Sequence, residues 1–122
     1  MAGTLAVALG GAAGSVLRYW ATLAAGWLGW GGFPWSTIAI NVLGSFVIGW
    51  FATAHGAASQ EVRLLVMTGL CGGFTTFSAF SLQTLDLMRA GDWAGAAANM
   101  ALSVVLCLGA VFAGHALAMR GA

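Results

Sequence analysis

Long apolar runs separated by short stretches of glycine and polar residues make up the chain: about Thr4 to Trp27, Trp35 to Ala54, Val62 to Met88 and Trp93 to Met119. A helix needs roughly 20 mostly apolar residues to cross a hydrocarbon core about 30 Å thick, so the pattern predicts an all-α protein with four transmembrane helices in a single domain, residues 1–122. The breaks carry helix-ending chemistry. Gly29 to Pro34 is glycine-rich and holds the only proline, His55 to Glu61 is small and polar, and Arg89 to Asp92 gathers charge and glycine. Trp27, Trp30, Trp35 and Trp93 fall at predicted helix ends, where amphipathic rings favour the headgroup region. The first run has no basic residue ahead of it and continues well past the length of a signal-peptide core, so it is expected to be a retained span.

Composition places this surface in lipid: 61% of residues are hydrophobic and 6% charged, against roughly a quarter charged in a soluble domain. Membrane lipid is therefore an expected partner, and the plasma membrane the expected location, the inner membrane in a Gram-negative cell. The net charge of +1 comes without any basic block, so no nucleic-acid partner is expected. Cys71 and Cys107 sit inside apolar segments at a spacing that suggests neither a disulfide nor a metal site.

Charge changes the picture once more through its distribution. An even number of spans puts both termini on one side, with Arg63 and Arg120; Arg89 lies on the other, and Arg18 lies within or near the end of the first span. The basic bias that fixes orientation is nearly absent. Such a chain can insert both ways round, and opposite copies can pair as an antiparallel dimer. Gly10 and Gly14, Gly11 and Ser15, and Ser45 and Gly49 are each four apart, a spacing that lets helix backbones approach closely in lipid.

The third run is anomalous. From Gly69 to Ser81 it places glycines and hydroxyls at mid-membrane depth, and Gly72-Gly73 would allow the helix to unwind, freeing carbonyls that need a cation, a wet cavity or other partners. The alternative is a continuous helix whose Thr and Ser bond back to their own carbonyls. Phe77 and Phe80 share a face, with Ser81 and Thr84 on the same side. Ring edges are electropositive and can meet a partly dehydrated anion, although spacing alone favours core packing. Asn41 either bonds a neighbouring helix or presents N–H groups to an anion. Asn99, Ser103 and Cys107 form a thin polar stripe, a track or a helix contact. Arg18 is expected at an interface or a vestibule. No Asp or Glu lies centrally in any span, which suits an anion path better than a cation or proton path.

Three motifs, on three consecutive runs and in order, carry a resemblance: Gly11-Ala12-Ala13-Gly14-Ser15-Val16-Leu17-Arg18-Tyr19, Asn41-Val42-Leu43-Gly44-Ser45-Phe46, and Gly72-Gly73-Phe74-Thr75-Thr76-Phe77-Ser78-Ala79-Phe80-Ser81. Over nearly its whole length the chain resembles the Fluc family of fluoride-exporting channels. The resemblance implies a passive fluoride channel with no enzymatic activity: a dual-topology antiparallel homodimer with two pores and a broken third helix. It also implies a structural sodium ion held centrally by carbonyls of Gly72 and Thr75 from both copies. Phe77 and Phe80 match the pore aromatics, Asn41 the pore asparagine, Arg18 the arginine of the aqueous entrance, and Ser103 a hydroxyl of the fourth-span track, with Thr76 and Ser78 as neighbours. Ala79, Asn99 and Cys107 depart from the family's hydroxyl and tyrosine residues. Two alternatives stand beside this reading. A small multidrug-exporting transporter has similar size but a membrane-embedded glutamate in its first span, absent here. A haem-carrying membrane anchor subunit would use His55 and His115, which fall on one predicted side.

Overall fold

The computed structural model describes residues 1–121. It is built from helices α1 (Ala2–Trp27), α2 (Trp35–Ala54), α3 (Gln60–Arg89) and α4 (Trp93–Arg120), with no strand among the described residues. Two junctions are closed by the same device. At the end of α1, Gly29 has φ +74° while its amide bonds the Gly26 carbonyl and the Trp30 amide bonds that of Ala25. At the end of α3, Gly91 has φ +79°, with Gly91 N–H to Met88 and Asp92 N–H to Leu87. A left-handed residue at this position lets two amides turn back onto orphan carbonyls, and glycine takes it without strain. Asp92 then caps α4 by accepting from the Gly95 amide at 2.7 Å, so three residues suffice to join the two helices.

α2, α3 and α4 are long and apolar enough to cross a membrane. α1 is not among them, which differs from the expectation of four equally clear spans. Its 26 residues reach about 39 Å, but glycine, serine, threonine and Arg18 dilute its hydropathy. Those same small residues serve packing. α1 lies along the N-terminal half of α3, and α2 along α4. A Cβ on Gly69 would meet the Gly10 Cα at 2.8 Å, and one on Gly73 the Gly11 carbonyl at 2.6 Å; one on Gly14 would overlap the Leu70 carbonyl. The second pair is joined similarly, by Gly114 against Phe46 and Gly49 against Val111. The buried set is therefore largely glycine, alanine and small polar residues, while Leu5, Trp27, Val105 and Phe112 stay exposed. That inversion is how helices associate where lipid removes the hydrophobic drive.

Gly14→Ala should consequently lower thermal stability in detergent by about 1–3 kcal/mol, since the backbones have no room to separate without losing contact. Gly11→Ala, whose Cβ would meet nothing within 4 Å, should be close to neutral. Equal melting temperatures for the two variants would contradict the close crossing.

α3 is the irregular element. Ser59 caps its start, Leu64–Cys71 winds in the wider π-helical pattern, and Gly72–Phe74 returns to α geometry. Thr75 (ψ 159°) and Thr76 (ψ 113°) are extended, and Phe77–Arg89 is helical again. The glycine pair expected to unwind does not: Gly72 has φ −64° and ψ −37°. The extended residues are the β-branched threonines that follow, whose own side chains finish both helix ends. Thr75 Oγ1 donates to the Cys71 carbonyl at 2.9 Å, where the Thr75 amide also bonds, and Thr76 Oγ1 accepts from the Ala79 amide at 3.1 Å. Gly73 is needed instead for the contact with α1.

Candidate functional site

The second of the two extended threonines, Thr76, is held from outside α3 by one side chain. Asn41, on α2, accepts from the Thr76 amide at 2.7 Å and donates to the Thr76 carbonyl at 3.1 Å. This amide reproduces what a neighbouring strand would offer, satisfying both main-chain groups of a residue that has left the helix. Of the two readings of Asn41 left open by the sequence, the contact with another helix is the one seen. Its Nδ2 has no second acceptor among the described residues, and Asn41 lines a cavity of about 450 Å³.

That cavity is a groove between α2, α3 and α4. Asn41, Gly72, Thr75, Phe77, Phe80 and Ser103 all line it. So do Thr76, Ser45 and both cysteines, while no Asp, Glu, Lys, Arg or His does. The Phe77 and Phe80 rings lie 5.2 Å apart with planes tilted by 47°. Phe77 is 79% exposed in the single chain, a large apolar ring with little cover, whereas Phe80 is half-buried. Ser81 and Thr84, expected beside them, lie off the cavity: the Ser81 hydroxyl bonds the Phe77 carbonyl at 2.9 Å, and the Thr84 hydroxyl bonds that of Phe80 at 2.7 Å. A hydroxyl four residues along an α-helix reaches back to its own turn.

Arg18 lines a second cavity, of about 350 Å³, with Ser15, Thr22, Ser36, Thr37 and Gln83. Thr76 belongs to both cavities, so the turn is the wall between them. Ser36 and Gln83 continue into a third, which reaches Trp30, Pro34 and Asp86 near the helix ends. Gln83 Oε1 is buried without a hydrogen-bond partner among the described residues. An orphan acceptor costs about 1–3 kcal/mol unless water or a ligand donates to it. Gln83 escaped the sequence reading because a polar residue six before the end of a helix carries no local signal.

The chain matches the family model described as CrcB-like protein, Camphor Resistance, over residues 5–115. It is 51% identical over 118 residues to the fluoride-specific ion channel of Methylocella silvestris, covering 93% of this chain and 90% of the relative. The protein of the same name from Paramagnetospirillum magneticum is 50% identical, with 92% and 91% covered, and that from Gluconobacter oxydans 54% identical, with 91% and 81% covered. The chain belongs to the CrcB-like family. It is the family to which the Fluc resemblance pointed, one of channels rather than enzymes, and with its apolar helices it makes this chain a multi-pass protein of the plasma membrane.

In this CrcB-like chain, two histidines remain apart from the cavities. His115 Nδ1 lies 2.9 Å from Thr53 Oγ1, whose own hydrogen goes to the Gly49 carbonyl, so the imidazole is the donor of that pair. His55 stacks on Phe51 at 4.9 Å. Each has a local partner at the end of α2 or α4, and family membership displaces both the haem-anchor and the multidrug-exporter alternatives.

Proposed function

We propose that the chain is one subunit of a dual-topology antiparallel homodimer that passes fluoride ions down their gradient through two pores, each running along the cavity at Thr75-Thr76. The observation that carries the reading is an uncharged groove, lined by an amide, hydroxyls and an aromatic pair, in a chain half identical to proteins named fluoride-specific ion channels. Fluoride entering past Arg18 and Gln83 exchanges water for the free N–H of Asn41 and for hydroxyl hydrogens, then for the edges of Phe77 and Phe80. Ser103 is the next hydroxyl, and Ser81 and Thr84 support the ring-bearing turn. A fixed cation at the narrowest part would hold the ion; weak neutral donors let it leave. The exposed Phe77 ring is the surface that a second copy would cover.

A structural sodium ion fits the donors present. Among the described residues no group of three or more His, Cys, Asp or Glu could hold a metal, so a cation at the turn would be met by main-chain oxygen, a hard ligand suited to a hard monovalent ion. The bonds that hold the turn engage the amide and hydroxyl of Thr75 and both main-chain groups of Thr76, and leave the Thr75 carbonyl out. Gly72 is exposed on the same groove. Its carbonyl and that of Thr75, doubled by two-fold symmetry, are the proposed ligands, and a sodium ion there would balance anion charge in the adjacent pores.

Proteoliposomes loaded with fluoride and read with a fluoride electrode test the reading. Efflux well above that of empty liposomes, with chloride retained, is expected, and replacing sodium by a large organic cation should slow it. A C-terminal tag should be reachable from both faces of the membrane. No fluoride efflux would refute the channel, and a tag confined to one face would refute the antiparallel dimer.

A further inference from the structure

The polar stripe on α4 is organised by a residue that lines none of the three cavities described above. Asn99, 1% exposed, donates through Nδ2 to Thr84 Oγ1 at 2.9 Å and accepts from the Ser103 hydroxyl at 3.4 Å. Thr84 has one hydroxyl hydrogen, already given to the Phe80 carbonyl at 2.7 Å. Its oxygen can therefore only accept from Asn99, which fixes the amide with nitrogen toward α3 and oxygen toward Ser103. All the hydrogens run one way, from Ser103 to Asn99 to Thr84 to the backbone of the ring-bearing turn. The chain is tight at the Phe80 end and slack at Ser103, the one member that lines the groove.

We propose that Asn99 is a positioning residue for anion movement, holding the Ser103 hydroxyl hydrogen away from the groove until an anion competes for it; the inference rests on reading that groove as the fluoride path. A hydrogen bond to an anion is roughly twice as strong as one between neutral groups, so an arriving fluoride takes the hydrogen from the long Asn99 contact. When the ion leaves, the hydrogen returns to the buried amide oxygen, which would otherwise stay unsatisfied. Asn99 thus lets Ser103 alternate between two acceptors. Without it, the hydroxyl turns permanently to its own helix carbonyl four residues back. The only titratable groups on the groove are the Cys71 and Cys107 thiols, so nothing ionic competes for the hydrogen.

Two variants test this in proteoliposomes, each compared with the unmodified protein at the same pH. In Asn99→Asp, the carboxylate has no hydrogen for Thr84 and places a negative charge by the path, so flux at neutral pH should fall about tenfold or more. Its protonated form has the shape of the amide and one hydrogen to give, so relative flux should recover as pH falls. A relative flux independent of pH would overturn the proposal. Asn99→Leu should slow flux alone but add nothing in a Ser103→Ala background, because the effect passes through that hydroxyl. Additive losses would mean that Asn99 only packs α4 against α3. Absence of fluoride flux in the unmodified protein would instead overturn the path itself, and this inference with it.

Discussion

Phe77→Ile and Phe80→Ile should each slow fluoride flux by about tenfold or more while the protein still folds and assembles. Isoleucine keeps the apolar character and much of the bulk but has no electropositive edge, so the substitution removes electrostatics and spares most of the packing. The rings lie 5.2 Å apart with planes tilted by 47°, and the proposed path meets them at their electropositive edges. Aromatic pairs contribute about 0.5–1.5 kcal/mol beyond their buried area, the upper end of which corresponds to about tenfold, and an edge contact to an ion that has shed water is expected at or above that end. Phe77, 79% exposed in the subunit and proposed to be covered by the second copy, is replaced by a side chain of much of its bulk, so the melting temperature should fall only modestly. Unchanged flux in both variants, by fluoride electrode, would return the rings to a packing role.

Helix ends were legible because they are written in local chemistry. The α2 limits expected from Trp35 and the small residues after Ala54 coincide with the helix observed, since a proline before it and a polar loop after it act within one turn. Family membership was legible too, through three motifs in order. What local chemistry does not determine is which of several break-capable residues yields. Gly72-Gly73 looked weakest by propensity, but Gly73 is committed to a backbone contact with Gly11, a tertiary demand invisible along the chain. The threonines yield because a side chain 35 residues away receives both main-chain groups of Thr76, while Thr75 closes the preceding helix on the Cys71 carbonyl. The same limitation left Asn99 as either track or contact: only the position of Thr84 reveals that its amide is oriented and its neighbour Ser103 slack.

The turn also separates two electrostatic environments. On one side Arg18 and an unpartnered amide oxygen face a polar vestibule; on the other the groove has no charged side chain. On the proposed path an anion would be drawn in by a cation that it need not cross closely, and would then meet only neutral donors. Thr76, shared by both cavities, would be where its hydration changes. Whatever holds Thr76 in place therefore governs both sides.

Asn41→Leu should abolish fluoride flux and also loosen the fold. The native amide fills the Thr76 N–H and C=O at 2.7 and 3.1 Å; leucine, of similar size, leaves both without partners in a part-buried position. Each orphaned group costs about 1–3 kcal/mol, so about 2–6 kcal/mol is lost unless the turn rearranges. The ready rearrangement is for Thr75 and Thr76 to rejoin the helix, which would swing Phe77 and Phe80 off the groove. Asn41→Asp separates the two contributions. Its carboxylate still accepts from the Thr76 amide, so about half of the bracing survives and the melting temperature should fall less than with leucine. It has no hydrogen for the Thr76 carbonyl or for an ion, and its charge repels fluoride, so flux should vanish just as completely. Thermal unfolding in detergent beside electrode-measured flux gives the two readings. Equal stability losses would mean that Asn41 does not brace the turn, and near-normal flux in Asn41→Asp would mean that its N–H groups never meet the ion.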